Sequence, residues 1–230
     1  FMIMALYGVD RYFQGKKKGL LIAGVFLMIM TSFYFSIGGM LALVIYGMLV
    51  YFRKNEFKFK QFLLDGISFV MPMLIAVLMS GVLLVPTFMA LRDRTAVDTG
   101  TVIHWYSYIL PTFSTKSILY TGYGLGLGTI AIVSLCAGVL YKKLYEKIYG
   151  ISLIIVLFIP LFNYLLNGGL YLKGKVFIPF IPLVIYWIGY YIKCINESEK
   201  KIIGILPYII MLVIVCINIK NYSRNYWTAI

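Results

Sequence analysis

GLLIAGVFLMIMTSFYFSIGGMLALVIYGMLVYF, residues 19–52, carries no charged side chain from Gly19 to Phe52. A helix crosses about 30 Å of hydrocarbon with roughly 20 apolar residues, at about 1.5 Å per residue. One helix over this whole stretch is far too long, so the stretch reads as two spans. The first runs from Gly19 to Phe35. The reversal is expected at Ser36-Ile37-Gly38-Gly39, because paired glycines permit a tight turn. Phe33, Tyr34 and Phe35 stand just before it, as aromatics do at a membrane interface.

Working outward, the same pattern repeats. Phe1–Val9 is apolar but too short to span, and Asp10, Arg11 and Lys16–Lys18 follow it. A signal peptide has these features in the opposite order. The stretch reads as the end of a helix that begins upstream, so the chain is expected to be a central to C-terminal fragment of a larger membrane protein. Later spans are expected at Gln61–Phe88 with Pro72 inside, Gly122–Tyr141, Ile148–Leu166 with Pro160 inside, Val176–Ile192 and Ile202–Ile219. The expected fold is all-α: a polytopic helical membrane protein, about seven transmembrane helices plus a truncated N-terminal one, in a single domain over residues 1–230.

Composition agrees. Of 230 residues, 62% are hydrophobic and 13% charged, with a mean hydropathy of +0.92. A water-soluble domain of this composition would expose large apolar patches. The formal net charge of +13 does not imply nucleic acid, because the basic residues fall in short loops between apolar runs. Alternate loops carry 14 of the 21 lysines and arginines and the others carry 7. The richer set is expected in the cytoplasm. That places two loops, at about 89–120 and 167–175, on the outer face.

The loop at about 89–120 is the longest polar interruption. It follows Val85-Pro-Thr-Phe-Met-Ala-Leu-Arg-Asp-Arg94 and holds His104, the chain's one histidine, among Trp105, Tyr106 and Tyr108. Arg92 and Arg94 flank Asp93. Such a pair either snorkels at the interface or clamps a phosphate, since guanidinium makes bidentate contacts to phosphate oxygens. Lys173 and Lys175, on the second outer loop, are candidates to converge with them. His104 is read as an interfacial packing residue or, more sharply, as a hydrogen-bond partner of a substrate hydroxyl or phosphate. Candidate substrate-binding residues are therefore Arg92, Arg94, His104, Lys173 and Lys175.

Other motifs have plainer readings. With one histidine and no cysteine pair at ligand spacing, no metal site is expected; Cys136, Cys194 and Cys216 read as small packing residues. Gly122-Tyr-Gly-Leu-Gly-Leu-Gly128 lacks nucleotide-loop spacing and reads as a close-packing helix face. No charged residue falls clearly at mid-span, which disfavours a proton-coupled transporter. No catalytic residue is assigned, and no cofactor is expected.

Four stretches resemble the bacterial YfhO-type membrane proteins. They are Leu6-Tyr-Gly-Val-Asp-Arg11, Ser32-Phe-Tyr-Phe35, Leu84-Val-Pro-Thr87 and Leu166-Asn-Gly-Gly-Leu-Tyr-Leu-Lys-Gly-Lys-Val-Phe-Ile-Pro-Phe-Ile-Pro-Leu183. The family tends to have Asn where this chain has Ser32. The resemblance implies a GT-C-like polytopic glycosyltransferase in the bacterial plasma membrane. Such an enzyme takes a sugar from a polyprenyl-phosphate carrier, a membrane lipid, and passes it to a glycan or polymer acceptor outside the cell, in some members for teichoic acid glycosylation. In that wider class a catalytic carboxylate lies in the first outer loop, upstream of this chain. Asp93 and Asp98 are the acids expected on the outer face, and neither is promoted to catalytic base. A second reading is a non-catalytic flippase for lipid-linked sugars, or a cell-envelope assembly protein.

Overall fold

The computed structural model describes residues 1–15, 17–55, 58–92, 129–139, 144–167, 174–196, 209–210 and 212–213. Among them the elements are all helical: α1 (Met2–Gly15), α2 (Gly19–Thr31), α3 (Phe33–Lys54), α4 (Phe59–Met79), α5 (Gly81–Arg92), α6 (Thr129–Gly138), α7 (Leu144–Phe158), α8 (Pro160–Leu166), a 3-10 segment η1 (Gly174–Phe180) and α9 (Ile181–Asn196). Three stretches among the described residues are long and apolar enough to cross a membrane: Phe33–Lys54, Phe59–Met79 and Val176–Asn196. A fourth qualifies if the bent pair α7–α8 is one span. The protein is an all-α membrane protein.

The apolar run at residues 19–52 does divide into two helices, but the break lies at Ser32, four residues before the expected turn. Ser32 is extended, with φ −158° and ψ 104°. Its hydroxyl oxygen accepts from the Phe35 N–H at 3.4 Å, and the Ser36 N–H donates to its carbonyl at 3.1 Å. Serine at this position satisfies a donor that the first turn of a helix leaves free. Gly38 and Gly39 lie inside α3 and serve packing. A methyl group on Gly38 would meet the Val176 carbonyl oxygen at 2.8 Å, so η1 lies directly against this point of α3.

Three other boundaries differ from expectation. Arg11–Gly15 continues α1, and α2 begins at Gly19. Gln61–Phe88 is two helices, α4 and α5, interrupted at Ser80, whose hydroxyl donates back to the Ala76 carbonyl at 2.8 Å. Pro72 sits within α4 and Pro86 within α5, so neither proline marks the break. The expected span Ile148–Leu166 starts earlier, at Leu144, and bends by 72° at Pro160. Proline lacks the N–H that would continue the α7 ladder. The expected spans Gly122–Tyr141 and Ile202–Ile219 are described only at Thr129–Val139 and at 209–210 and 212–213, so most of both lies outside the described residues.

Two apolar cores meet at α3. On one side, Ala5, Val9 and Tyr12 of α1, Leu21, Val25 and Met28 of α2, and Phe69, Met73 and Ala76 of α4 surround Leu43. On the other, Ala42, Ile45 and Leu49 face α6, α7, η1 and α9. The α1–α2 hairpin is tight because small residues let the two backbones touch. A methyl on Gly8 would meet Leu21 Cα, and one on Gly24 would meet Ala5 Cα, both at 2.7 Å. Helices inside lipid associate through such van der Waals contact, since lipid tails are as apolar as leucine. The second core is centred on Trp187, which is 1% exposed. Its indole N–H donates to the Ser134 carbonyl at 2.9 Å. Leu63, Leu64, Ile67, Met71, Leu74, Ile75 and Leu78 of α4 are exposed, as expected for a face turned to lipid.

Candidate functional site

Two polar groupings mark the opposite ends of α3. At its N-terminal end, Tyr34 donates its hydroxyl to Asn167 Oδ1 across 133 positions of sequence. Asn167 is 5% exposed, and its amide nitrogen donates to Asn163 Oδ1 at 2.6 Å and to the Asn163 carbonyl at 2.7 Å. The first turn of α3 is thereby tied to the last turn of α8. One turn further along α3, Gly38 admits Val176, Pro179 and Phe180 of η1. Parts of two stretches singled out in the sequence, Tyr34 of the first and Asn167 of the second, therefore meet, and Val176, Pro179 and Phe180 of the second lie against Gly38. Buried amides and hydroxyls are retained in an apolar protein only with hydrogen-bond partners. Here they pin the end of α8 to α3, while η1, which carries Lys175, meets α3 through Gly38.

Of the basic residues proposed to bind substrate, Lys173 and Lys175 follow Asn167 closely in sequence. Arg92 closes α5 and Lys175 lies in η1, each described in backbone only. Arg94, His104 and Lys173, with Asp93 and Asp98, lie outside the described residues. The expected convergence of Arg92 and Arg94 with Lys173 and Lys175 falls there too, as does the glycine run 122–128.

At the other end of α3 a charged network joins four helices. Arg53 of α3 meets Glu146 of α7 at 3.3 Å, and Tyr190 of α9 donates to the second oxygen of Glu146. The Arg53 guanidinium stands 5.5 Å from the centroid of the Tyr186 ring, a favourable cation–π distance. Tyr46 donates to Asp10 of α1 at 3.1 Å, and Lys54 Nζ donates to the Phe13 carbonyl at 3.1 Å. The Glu146 side chain is only 7% exposed, whereas that of Arg53 is 34% exposed.

This network was not foreseen from the sequence. Glu146 stands alone among Lys142, Lys143 and Lys147, and an acid in the first turn of a helix is favoured by the helix dipole. That local signal was available; the identity of its partner, 93 positions away, was not. The network binds α1, α3, α7 and α9 together at the end of the bundle where basic loops gather. Among the described residues, Asp10, Asp65 and Glu146 are the acids that are placed, and all three lie toward this end. No group of three His, Cys, Asp or Glu side chains is assembled among the described residues.

No curated protein and no solved structure matches the chain. One family model, described as "Bacterial membrane protein YfhO", matches residues 4–229. That match covers nearly the whole chain, including both stretches that meet at Tyr34 and Asn167. The chain belongs to the family of bacterial membrane protein YfhO.

Proposed function

We propose that this protein acts as a GT-C-like membrane glycosyltransferase, moving a sugar from a polyprenyl-phosphate carrier to a cell-envelope acceptor such as a teichoic-acid-like polymer. It works as a multi-pass protein of the bacterial plasma membrane, with the Tyr34–Asn167 end outside. The observation that carries the reading is the hydrogen-bonded union of Tyr34 with Asn163 and Asn167, beside η1. The same turns of α3 receive η1, the segment that carries Lys175, at Gly38, and Lys173 is its near neighbour in sequence. The charge asymmetry of the loops supports the orientation.

In this mechanism the chain's own contribution is electrostatic. Arg92 and Arg94, with Lys173 and Lys175, hold the lipid phosphate as the glycosidic bond to it breaks and negative charge accumulates on its oxygens. His104 hydrogen-bonds a sugar or phosphate oxygen. A carboxylate outside this group activates the acceptor hydroxyl. The test is sugar transfer in membranes by Arg92→Ala, Arg94→Ala and the double variant. The double variant is expected to lose at least tenfold in turnover, as groups that stabilise developing charge do. Unchanged transfer would remove the phosphate-gripping role.

A second reading rests on one observation. The described acids lie toward the end opposite Tyr34, an arrangement that also suits a non-catalytic flippase or assembly protein for lipid-linked sugars. Reconstituted vesicles separate the two. Release of carrier phosphate with sugar incorporation marks the transferase; movement of intact carrier between leaflets marks the flippase.

A further inference from the structure

Between α1, α3 and α4 lies an apolar pocket of about 140 Å³. Phe13, Val44, Met48, Phe62, Phe69 and Val70 supply its walls, and Gly47 and Gly66 line it too. The two glycines differ in the space beside them. A methyl on Gly47 would strike the Phe69 ring at 2.8 Å, whereas one on Gly66 would meet nothing within 4 Å. Val70 is 37% exposed, and Leu63 and Ile67 beside it on α4 are more so. The pocket's most exposed apolar lining residue is Val70, next to the α4 face turned to lipid.

Two lysines stand next to lining residues at the helix-end side of this pocket. On α3, Lys54 stands one turn beyond Tyr51, which lines the pocket, and its ammonium is fixed on the carbonyl of Phe13, another lining residue. On α4, the Lys58 carbonyl accepts from the Phe62 N–H at 2.8 Å, so Lys58 sits one turn above a lining residue. Both lysines are exposed. One carboxylate, Asp65, is in the wall, and the Tyr51 hydroxyl lies beside it.

We infer that this pocket holds an acyl chain of an anionic phospholipid from the surrounding bilayer, with the lipid phosphate on Lys54 and Lys58. The chain gains little by leaving other lipid tails for the pocket, because both surroundings are apolar. The pocket therefore fixes position, and selection comes from the headgroup. Lysines at a membrane surface favour anionic over zwitterionic lipid by about fivefold each. This inference stands apart from the sugar-transfer reading, since it concerns the opposite end of the bundle.

The test uses the full chain in detergent micelles. Phosphatidylglycerol and phosphatidylcholine of equal chain length are titrated, and bound lipid is read by native mass spectrometry. The wild type is expected to prefer phosphatidylglycerol by roughly tenfold or more. Lys54→Ala with Lys58→Ala, both at exposed positions, should abolish that preference. Gly66→Leu should fill the pocket and remove the bound lipid while helix content by circular dichroism is kept. Asp65→Asn should raise phosphatidylglycerol affinity by removing a like charge. Equal binding of the two lipids by the wild type would overturn the inference. So would wild-type preference in the double lysine variant, or undiminished binding by folded Gly66→Leu.

Discussion

Gly38→Ala and Gly66→Ala form a matched pair whose outcomes should differ in sign. Both glycines are inside helices, so the change to alanine brings each the same gain of about 0.5–1 kcal/mol in backbone entropy. The net sign then depends on the space at the new methyl. At Gly66 nothing lies within 4 Å, and the gain should appear undiminished. At Gly38 the methyl would stand 2.8 Å from the Val176 carbonyl oxygen, with Phe180 at 3.6 Å and Pro179 at 3.7 Å behind it. Relief requires η1 to withdraw by roughly half an ångström, and that segment is packed on α3 through several side chains. Overpacking of this kind costs about 1–3 kcal/mol. Set against the entropic gain, the expected net loss is about 0–2.5 kcal/mol for Gly38→Ala, centred near 1. Thermal unfolding in nanodiscs measures it. For a chain of this size the shift is about 2–4 °C per kcal/mol, downward for Gly38→Ala and upward for Gly66→Ala. Sugar transfer should fall in the first variant, because η1 carries Lys175, and persist in the second. Equal stability of the two variants would refute the argued contact between α3 and η1.

Other outcomes rest on the polar groups and the core. Arg53→Ala should cost more than Glu146→Gln, about 2–4 against about 1 kcal/mol. The first strands a buried carboxylate, and the second leaves a partly exposed cation that reaches water or headgroups. Chemical unfolding of both single variants and the double variant checks the order and yields the coupling. Tyr34→Phe removes the hydroxyl donor to buried Asn167 and should lower stability by about 1–3 kcal/mol. If the Tyr34 end is also where substrate binds, the same variant should weaken donor affinity in a transfer assay. Trp187→Ala should cost about 3–5 kcal/mol, because the indole fills the space left by Gly138 and Gly150 and bonds to Ser134; loss of folded protein on size-exclusion chromatography reports it.

The class of the protein was legible from one-dimensional facts. Apolar run length against bilayer thickness, and lysines confined to the gaps, need no knowledge of which helix lies beside which. The Ser32 boundary was legible as well, had its capping chemistry been weighed above the glycines. A glycine in an apolar run, by contrast, signals either a turn or a close approach. At Gly38 and Gly39 the sequence suggests the first and the structure shows the second. The bend at Pro160 was visible as a proline, but its 72° angle depends on what the helix packs against.

By itself, then, the chain's order of residues determined a helical membrane protein, its basic loops and the family to which it belongs. The tertiary structure decided the rest. It chose Ser32 over Gly38 as the turn, joined Tyr34 to Asn167 and Arg53 to Glu146, and opened a pocket at Gly66. The physical reason is that apolar side chains are interchangeable to lipid, so hydropathy sets only where a helix may lie. The space a glycine leaves, where a methyl would stand 2.7 Å from a neighbouring backbone, and a donor 3.1 Å from its acceptor are not interchangeable. Which glycine admits a neighbour, and which buried hydroxyl finds its acceptor, depends on residues 93 or 133 positions away, and only packing brings those together.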